Sequence, residues 1–66
     1  MPEIEVELRS TEPRAVAATT ETIVGLGGVL FERDGRWFIS CLNPGYMAFA
    51  VENQGYVKRV IKGDDQ

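Results

Sequence analysis

Histidine is absent from the chain and cysteine occurs once, at Cys41. That removes the common makings of a nucleophilic or metal-dependent active site. A serine or cysteine nucleophile needs a base beside it, most often an imidazole. Zinc needs several thiolate or imidazole ligands. Cys41 lies within an apolar run, reads as a small core residue, and has no sequence neighbour that would favour its thiolate. The acidic residues alternate with apolar ones or sit near turns, which is the pattern of solvated faces. The chain therefore reads as a non-enzyme without a cofactor or metal, and the chemistry to look for is binding.

Two sets of residues are candidates for it. Gly25-Leu26-Gly27-Gly28 breaks the apolar pattern around it. Glycines so placed form a bulge or turn, or let a ligand approach the main chain. The segment is neither a P-loop nor a dinucleotide fingerprint, since it lacks the Gly-Lys-Ser/Thr ending and the full glycine spacing before a helix. The second set is basic. Arg33 and Arg36 face one another across a hairpin mouth, and Lys58, Arg59 and Lys62 cluster late in the chain. With Trp37, Phe38 and Tyr56 as stacking surfaces, these residues define a nucleic-acid alternative. The competing reading makes the aromatics core and the cations counter-charges to the acids.

Elements must position these groups. Glu3 to Arg9 alternates charged and apolar, a period-2 strand with Ile4, Val6 and Leu8 on one face. Its acidic face reads as solvated or as an edge guarded by charge. Residues 10–26 allow two readings. Ser10 or Thr11 would cap a helix with Pro13 in its first turn and Gly27-Gly28 at its end. The β-branched cluster Thr19, Thr20, Thr22, Ile23, Val24 favours a pleated surface instead. The second reading, a loop at 10–15 and a strand at 16–25, is preferred. Asp34-Gly35 between two apolar runs is a type I′ hairpin signal. It pairs Phe31 with Phe38, Leu30 with Ile39 and Glu32 with Trp37. Large apolar groups fall on both hairpin faces, so the rest of the chain or a neighbour must cover each. Asn43-Pro44-Gly45 reads as a turn. A strand follows at 46–52, with Met47, Phe49 and Val51 opposite Ala48 and Ala50. Asn53-Gln54-Gly55 turns again into a strand at 56–62, and 63–66 reads as a frayed tail. The expectation is one all-β domain over 1–66, a small antiparallel sandwich or barrel of about five strands.

At 66 residues such a core is thin. Chains this short rarely gain more than about 3–5 kcal/mol from one core and usually add a staple. Disulfides and the common metal clusters are excluded by composition, which leaves homo-oligomerisation. Residues are 44 % hydrophobic and 26 % charged, which argues against disorder. The net charge of −3 argues against a protein built mainly to bind phosphate backbones. No basic start with an apolar run follows Met1, and no apolar segment approaches the roughly 20 residues of a membrane span. Cytoplasmic location is the default expectation.

From Gly35 onward, Gly35, Ile39, Leu42, Ala48, Val51 and Gly55-Tyr56-Val57 fall in step with small, apolar and aromatic positions of a known family. The pattern resembles the tryptophan RNA-binding attenuation protein family. Ile23-Val24-Gly25-Leu26 resembles the strand end that leads into that family's ligand loop, and Ile4 to Leu8 its first strand. The resemblance implies a ring of identical subunits joined by intersubunit sheets. It implies a small ligand, tryptophan in the family, held between subunits by loops at Gly25, Leu26, Gly27, Gly28 and at Asn43–Met47. Cys41 and Asn43 stand where the family has polar ligand-contacting side chains, and Pro44-Gly45 reshapes the loop. The family's RNA-reading strand would hold Ala50 and Glu52 here, which would repel or ignore a phosphate. The expected function is a ring-like regulatory or sequestering protein with a small ligand at its seams. Alternatives are an RNA or single-stranded DNA binder using Arg33, Arg36, Lys58 and Arg59, and an inhibitor that adds a strand to a partner through Ile4–Leu8.

Overall fold

A computed structural model describes residues 1–62. The expected tail at 63–66 lies outside the described residues. In chain order the elements are β1 (Glu3–Leu8), α1 (Pro13–Gly25), β2 (Val29–Arg33), β3 (Arg36–Ser40), α2 (Pro44–Asn53) and β4 (Val57–Lys62). The strands form one sheet in the order β2-β3-β1-β4, antiparallel at every junction. Both helices contribute to the core on one face of it. The β-α-β-β-α-β order is the split, ferredoxin-like arrangement. The antiparallel sheet matches the expectation; the all-β class does not, and the described strands number four.

The first correction is α1, where a strand was expected over 16–25. Pro13 occupies the first helical turn, where its missing N–H costs nothing. Val16, Ile23 and Leu26 pack with the core, and Ala15, Thr19, Thr20 and Thr22 beside them are each at least half-buried. The threonines among these residues hide the helical period. Thr20 and Thr22 donate their hydroxyls to the carbonyls of Val16 and Ala18, one turn back, which satisfies them within the helix. The helix ends in a Schellman motif. Gly28 N–H donates to Ile23 O, Gly27 N–H donates to Val24 O, and Gly27 takes φ +91°.

The second correction is α2, where a strand was expected over 46–52. Asn43 is its N-cap, its Oδ1 accepting from Tyr46 N–H at 3.0 Å, and Pro44 stands in the first turn. The turn signal Asn43-Pro44-Gly45 was a helix start. Met47, Ala50 and Val51 face inward, a spacing of three and four that alternation could not produce. Phe49, expected beside Met47 and Val51, is exposed. This helix also closes with a Schellman pair, Tyr56 N–H to Val51 O and Gly55 N–H to Glu52 O.

The third correction concerns β1. It was a candidate edge strand and is central, paired with β3 on one side and β4 on the other. Ile4, Val6 and Leu8 fill the helix-side core with Leu30, Ile39, Val57, Ile23, Met47 and Val51. Strand addition through Ile4–Leu8 is therefore excluded, because both sides of the strand are occupied. The hairpin is as expected: Phe31 pairs with Phe38, Leu30 with Ile39 and Glu32 with Trp37. Asp34 (φ 56°) and Gly35 (φ 76°) make the type I′ turn.

Candidate functional site

The fold brings the two sequence-singled loops together. Gly27 and Leu26 at the end of α1, and Cys41, Asn43, Leu42, Tyr46 and Met47 around the start of α2, line one cleft of about 180 Å³. Gly25, Gly28, Pro44 and Gly45 flank these segments but do not line it. Gly25 closes the last turn of α1. Gly28 is packed so tightly that an added Cβ would stand 2.7 Å from Met47 Cε and 3.0 Å from Ile39 Cγ2. Pro44 and Gly45 form the first turn of α2. The glycines thus have local work: one permits the left-handed helix stop, the other the close approach of α1's exit to the core.

The cleft carries no charged side chain. Cys41 is buried beneath it, and burial pushes its thiol pKa up, partly offset by the Asn43 N–H donating to the sulfur. That environment disfavours a thiolate nucleophile. The rim is apolar and exposed. Leu42 is 82 % exposed, Tyr46 54 % and Phe49 64 %. Tyr46 and Phe49 are three apart on α2 and so share its outer face. Val29, 55 % exposed, opens β2 directly after Gly28.

The second set of candidates lies on the sheet face away from the helices. There Glu3, Glu5 and Glu7 of β1 form a central acidic row, and every proposed phosphate-binding cation is turned toward it. Arg33 meets Glu3 at 3.2 Å. Arg36 binds Glu5 with both Nε and Nη2 at 2.8 Å. Arg59 Nε donates to Glu7 at 2.8 Å, and Lys58 Nζ stands 3.7 Å from the other oxygen. These cations hold the Glu7 carboxyl below its usual pKa, through the Arg59 hydrogen bond first and the Lys58 charge next. Glu5 in turn raises the Arg36 guanidinium. The second apolar face of the hairpin is also covered from within the chain. Phe31 and Phe38 stack with centroids 5.7 Å apart. The Arg33 guanidinium lies 4.5 Å from the Phe38 centroid and 5.6 Å from that of Phe31. A nucleic acid would have to compete with these carboxylates for cations that are each already paired, though more than half exposed. Sequence spacing could not show this, because it needs β1 to lie beside β3 and β4.

The two sheet edges differ. β4 carries register shifts between Glu5/Val6 and Glu7/Leu8 of its pairing with β1, and presents Lys58 and Arg59. Bulges and basic residues are the usual protection of an exposed edge. β2 pairs with β3 in unbroken register over all its residues. The pair flanking a two-residue turn, Arg33 and Arg36, exchanges both hydrogen bonds, so Leu30 and Glu32 direct their amide and carbonyl groups outward. β2 is thus a regular edge with an apolar start.

No protein-family model, no curated protein and no solved structure matches the chain. Among the described residues, no group of three or more histidine, cysteine or acidic side chains could hold a metal ion. No helix there is long and apolar enough to cross a membrane. The split β-α-β topology hosts many activities and assigns none.

Proposed function

We propose that the chain is a non-enzymatic binding protein that works as a homo-oligomer, pairing with a copy of itself along β2 and holding a small, largely apolar ligand in the cleft at the seam. The observation that carries this reading is the difference between the two sheet edges. β4 is bulged and basic, whereas β2 is regular, pairs without interruption and begins with the exposed Val29. An antiparallel pairing centred on Phe31 would set Val29 opposite Arg33 of the partner subunit and extend the Phe31–Phe38 stack across the junction. Such a pairing is two-fold and closes as a dimer. A ring of more copies needs β2 of one subunit on β4 of the next, and the bulges and cations of β4 disfavour that. The cleft lies where β2 begins, so a ligand there would touch both copies. The ligand class follows from a lining of Leu26, Cys41, Leu42, Tyr46 and Met47 with no charge among them. Tryptophan, which the family resemblance implies, would bring an ammonium and a carboxylate that this cleft has no side-chain charge to meet. The RNA alternative draws less support, because Arg33, Arg36, Lys58 and Arg59 are each engaged by a glutamate.

Light scattering on a sizing column tests the reading. The wild-type chain is expected to run at twice its 7.3 kDa mass at micromolar concentration. Glu32→Pro removes an outward amide while leaving the β2–β3 hydrogen bonds intact, and is expected to run at the monomer mass with an unchanged circular dichroism spectrum. A monomeric wild-type chain, or an oligomer that Glu32→Pro does not split, overturns it.

A further inference from the structure

A larger groove lies elsewhere, between α1 and the turn that joins α2 to β4. It measures about 330 Å³ and is lined by Arg9, Ser10, Ala15, Ala18, Thr19, Thr22, Gly55 and Tyr56. The chain has 10 acidic against 7 basic residues, yet this lining holds a guanidinium and no carboxylate. Among the described side chains, every cation on the open sheet face has a glutamate partner. Arg9 has none among the described residues.

Arg9 is also held in place. Its Nε donates to the Gly55 carbonyl at 2.6 Å, tying the residue after β1 to the left-handed glycine that ends α2. That bond uses one N–H and fixes the guanidinium plane, leaving the terminal nitrogens as a fork suited to a carboxylate. Two hydroxyls supplement it. Thr19 Oγ1 has no hydrogen-bond partner among the described residues. Ser10 Oγ accepts from Glu12 N–H and keeps its own proton to donate. The other polar groups are committed: Thr22 donates to Ala18 O and Tyr56 to Gln54. The rest of the lining is the methyl groups of Ala15 and Ala18 and the body of Tyr56.

We infer that this groove binds a small organic monocarboxylate, its carboxylate on the Arg9 fork and its short apolar body along Ala15, Ala18 and Tyr56. The volume lies at the lower end of the range for small-molecule sites, which fits an acid of amino-acid size. This site is separate from the seam at β2 and does not rest on the pairing proposed there.

The test is a titration of the 15N-labelled full chain with hexanoate, followed by amide and Arg9 Nε–H shifts. Hexylammonium and inorganic phosphate are the comparison probes. Hexanoate is expected to give saturable shifts at Arg9, Ser10, Thr19 and Gly55, with a dissociation constant on the order of 1 mM. Arg9→Gln should weaken this about tenfold or more, because it removes a charged hydrogen-bond fork. Arg9 also ties two elements together, so Thr19→Val serves as a variant that leaves that tie in place; it should weaken binding roughly threefold with the spectrum otherwise unchanged. Hexylammonium should produce no shifts at these positions. Absence of saturation by roughly 50 mM, equal binding by Arg9→Gln and Thr19→Val, or phosphate binding as well as hexanoate overturns the inference.

Discussion

The two faces of the sheet are built from the same central strand by opposite means. On the helix side, β1 supplies Ile4, Val6 and Leu8 to a dry core closed by α1 and α2. On the other side it supplies Glu3, Glu5 and Glu7, and those carboxylates gather the cations of β2, β3 and β4, with Arg33 and Arg36 over the half-buried Phe31–Phe38 stack. One face is stabilised by burial, which is non-directional and strong per residue. The other depends on charge placement, which is weak where exposed and stronger where a partner is buried. The difference teaches that a short chain can cover both faces of a hairpin without a neighbour. The proposed pairing accordingly uses the β2 edge and not the sheet faces.

The comparison breaks most visibly on the helix face. Ile39 is fully buried, at 0 % exposure, under Gly28 and beside Leu30 and Ile4. Ile39→Ala should cost about 2–5 kcal/mol, which for a chain this small is most of its stability. Urea denaturation followed by circular dichroism would read it, and a loss below about 1 kcal/mol would contradict a close-packed core around Ile39. On the opposite face the strongest single site is Glu5. Its side chain is 11 % exposed and grips Arg36 with two hydrogen bonds of 2.8 Å. Glu5→Gln should cost about 1–3 kcal/mol, since hydrogen bonds to charged groups carry about that much. A double-mutant cycle with Arg36→Gln should show coupling between the two positions. Additive effects would mean that the open face is not organised by this pair.

Legibility in the sequence followed the same division. The β1 alternation, the Asp34-Gly35 turn and the cross-strand pairs of the hairpin were readable, because a period of two and a two-residue turn leave one register. Both helices were missed in favour of strands. In α1, Thr19, Thr20 and Thr22 lie beside the residues that pack with the core, so hydrophobic periodicity is weak there, and tertiary packing overrides their β preference. In α2, Tyr46 to Val51 is apolar nearly throughout, and short apolar runs do not distinguish strand from helix. The cue that would have decided it was Asn43-Pro44, a helix cap with proline behind it. The resemblance set the loops at Gly25–Gly28 and Asn43–Met47 around a ligand between subunits. That Leu26 and Gly27 line one cleft with residues 41–43, 46 and 47 of the same chain follows from α1 and α2, which read as strands in the sequence. The Arg9 groove left no sequence signal, because its walls come from the end of β1, one face of α1 and the α2–β4 turn.

The faintest way to separate the two faces is pH. Glu7 is more accessible than Glu5 in the acidic row, and its carboxyl is held below the usual value by the Arg59 hydrogen bond and the Lys58 charge. In the unfolded chain the same group titrates near its ordinary value of about 4.3. Between those two values the unfolded state binds more protons than the folded one, so stability rises with pH. The contribution is complete above the unfolded value and is lost as pH falls through the folded one. The raised Arg36 guanidinium adds nothing to this window, since its charge is constant well into the alkaline range. Denaturation midpoints for the wild-type chain should therefore fall between pH 6 and pH 3, and Glu7→Gln should show a shallower fall. Because Glu7, Lys58 and Arg59 are all solvent-accessible, the difference between the two proteins should shrink in molar salt. The loss from Ile39→Ala should persist in that salt. If the Glu7→Gln chain follows the wild-type curve at low salt, Arg59 and Lys58 do not hold Glu7 in solution, and the charged layer reduces to the Glu5–Arg36 pair and its immediate neighbours.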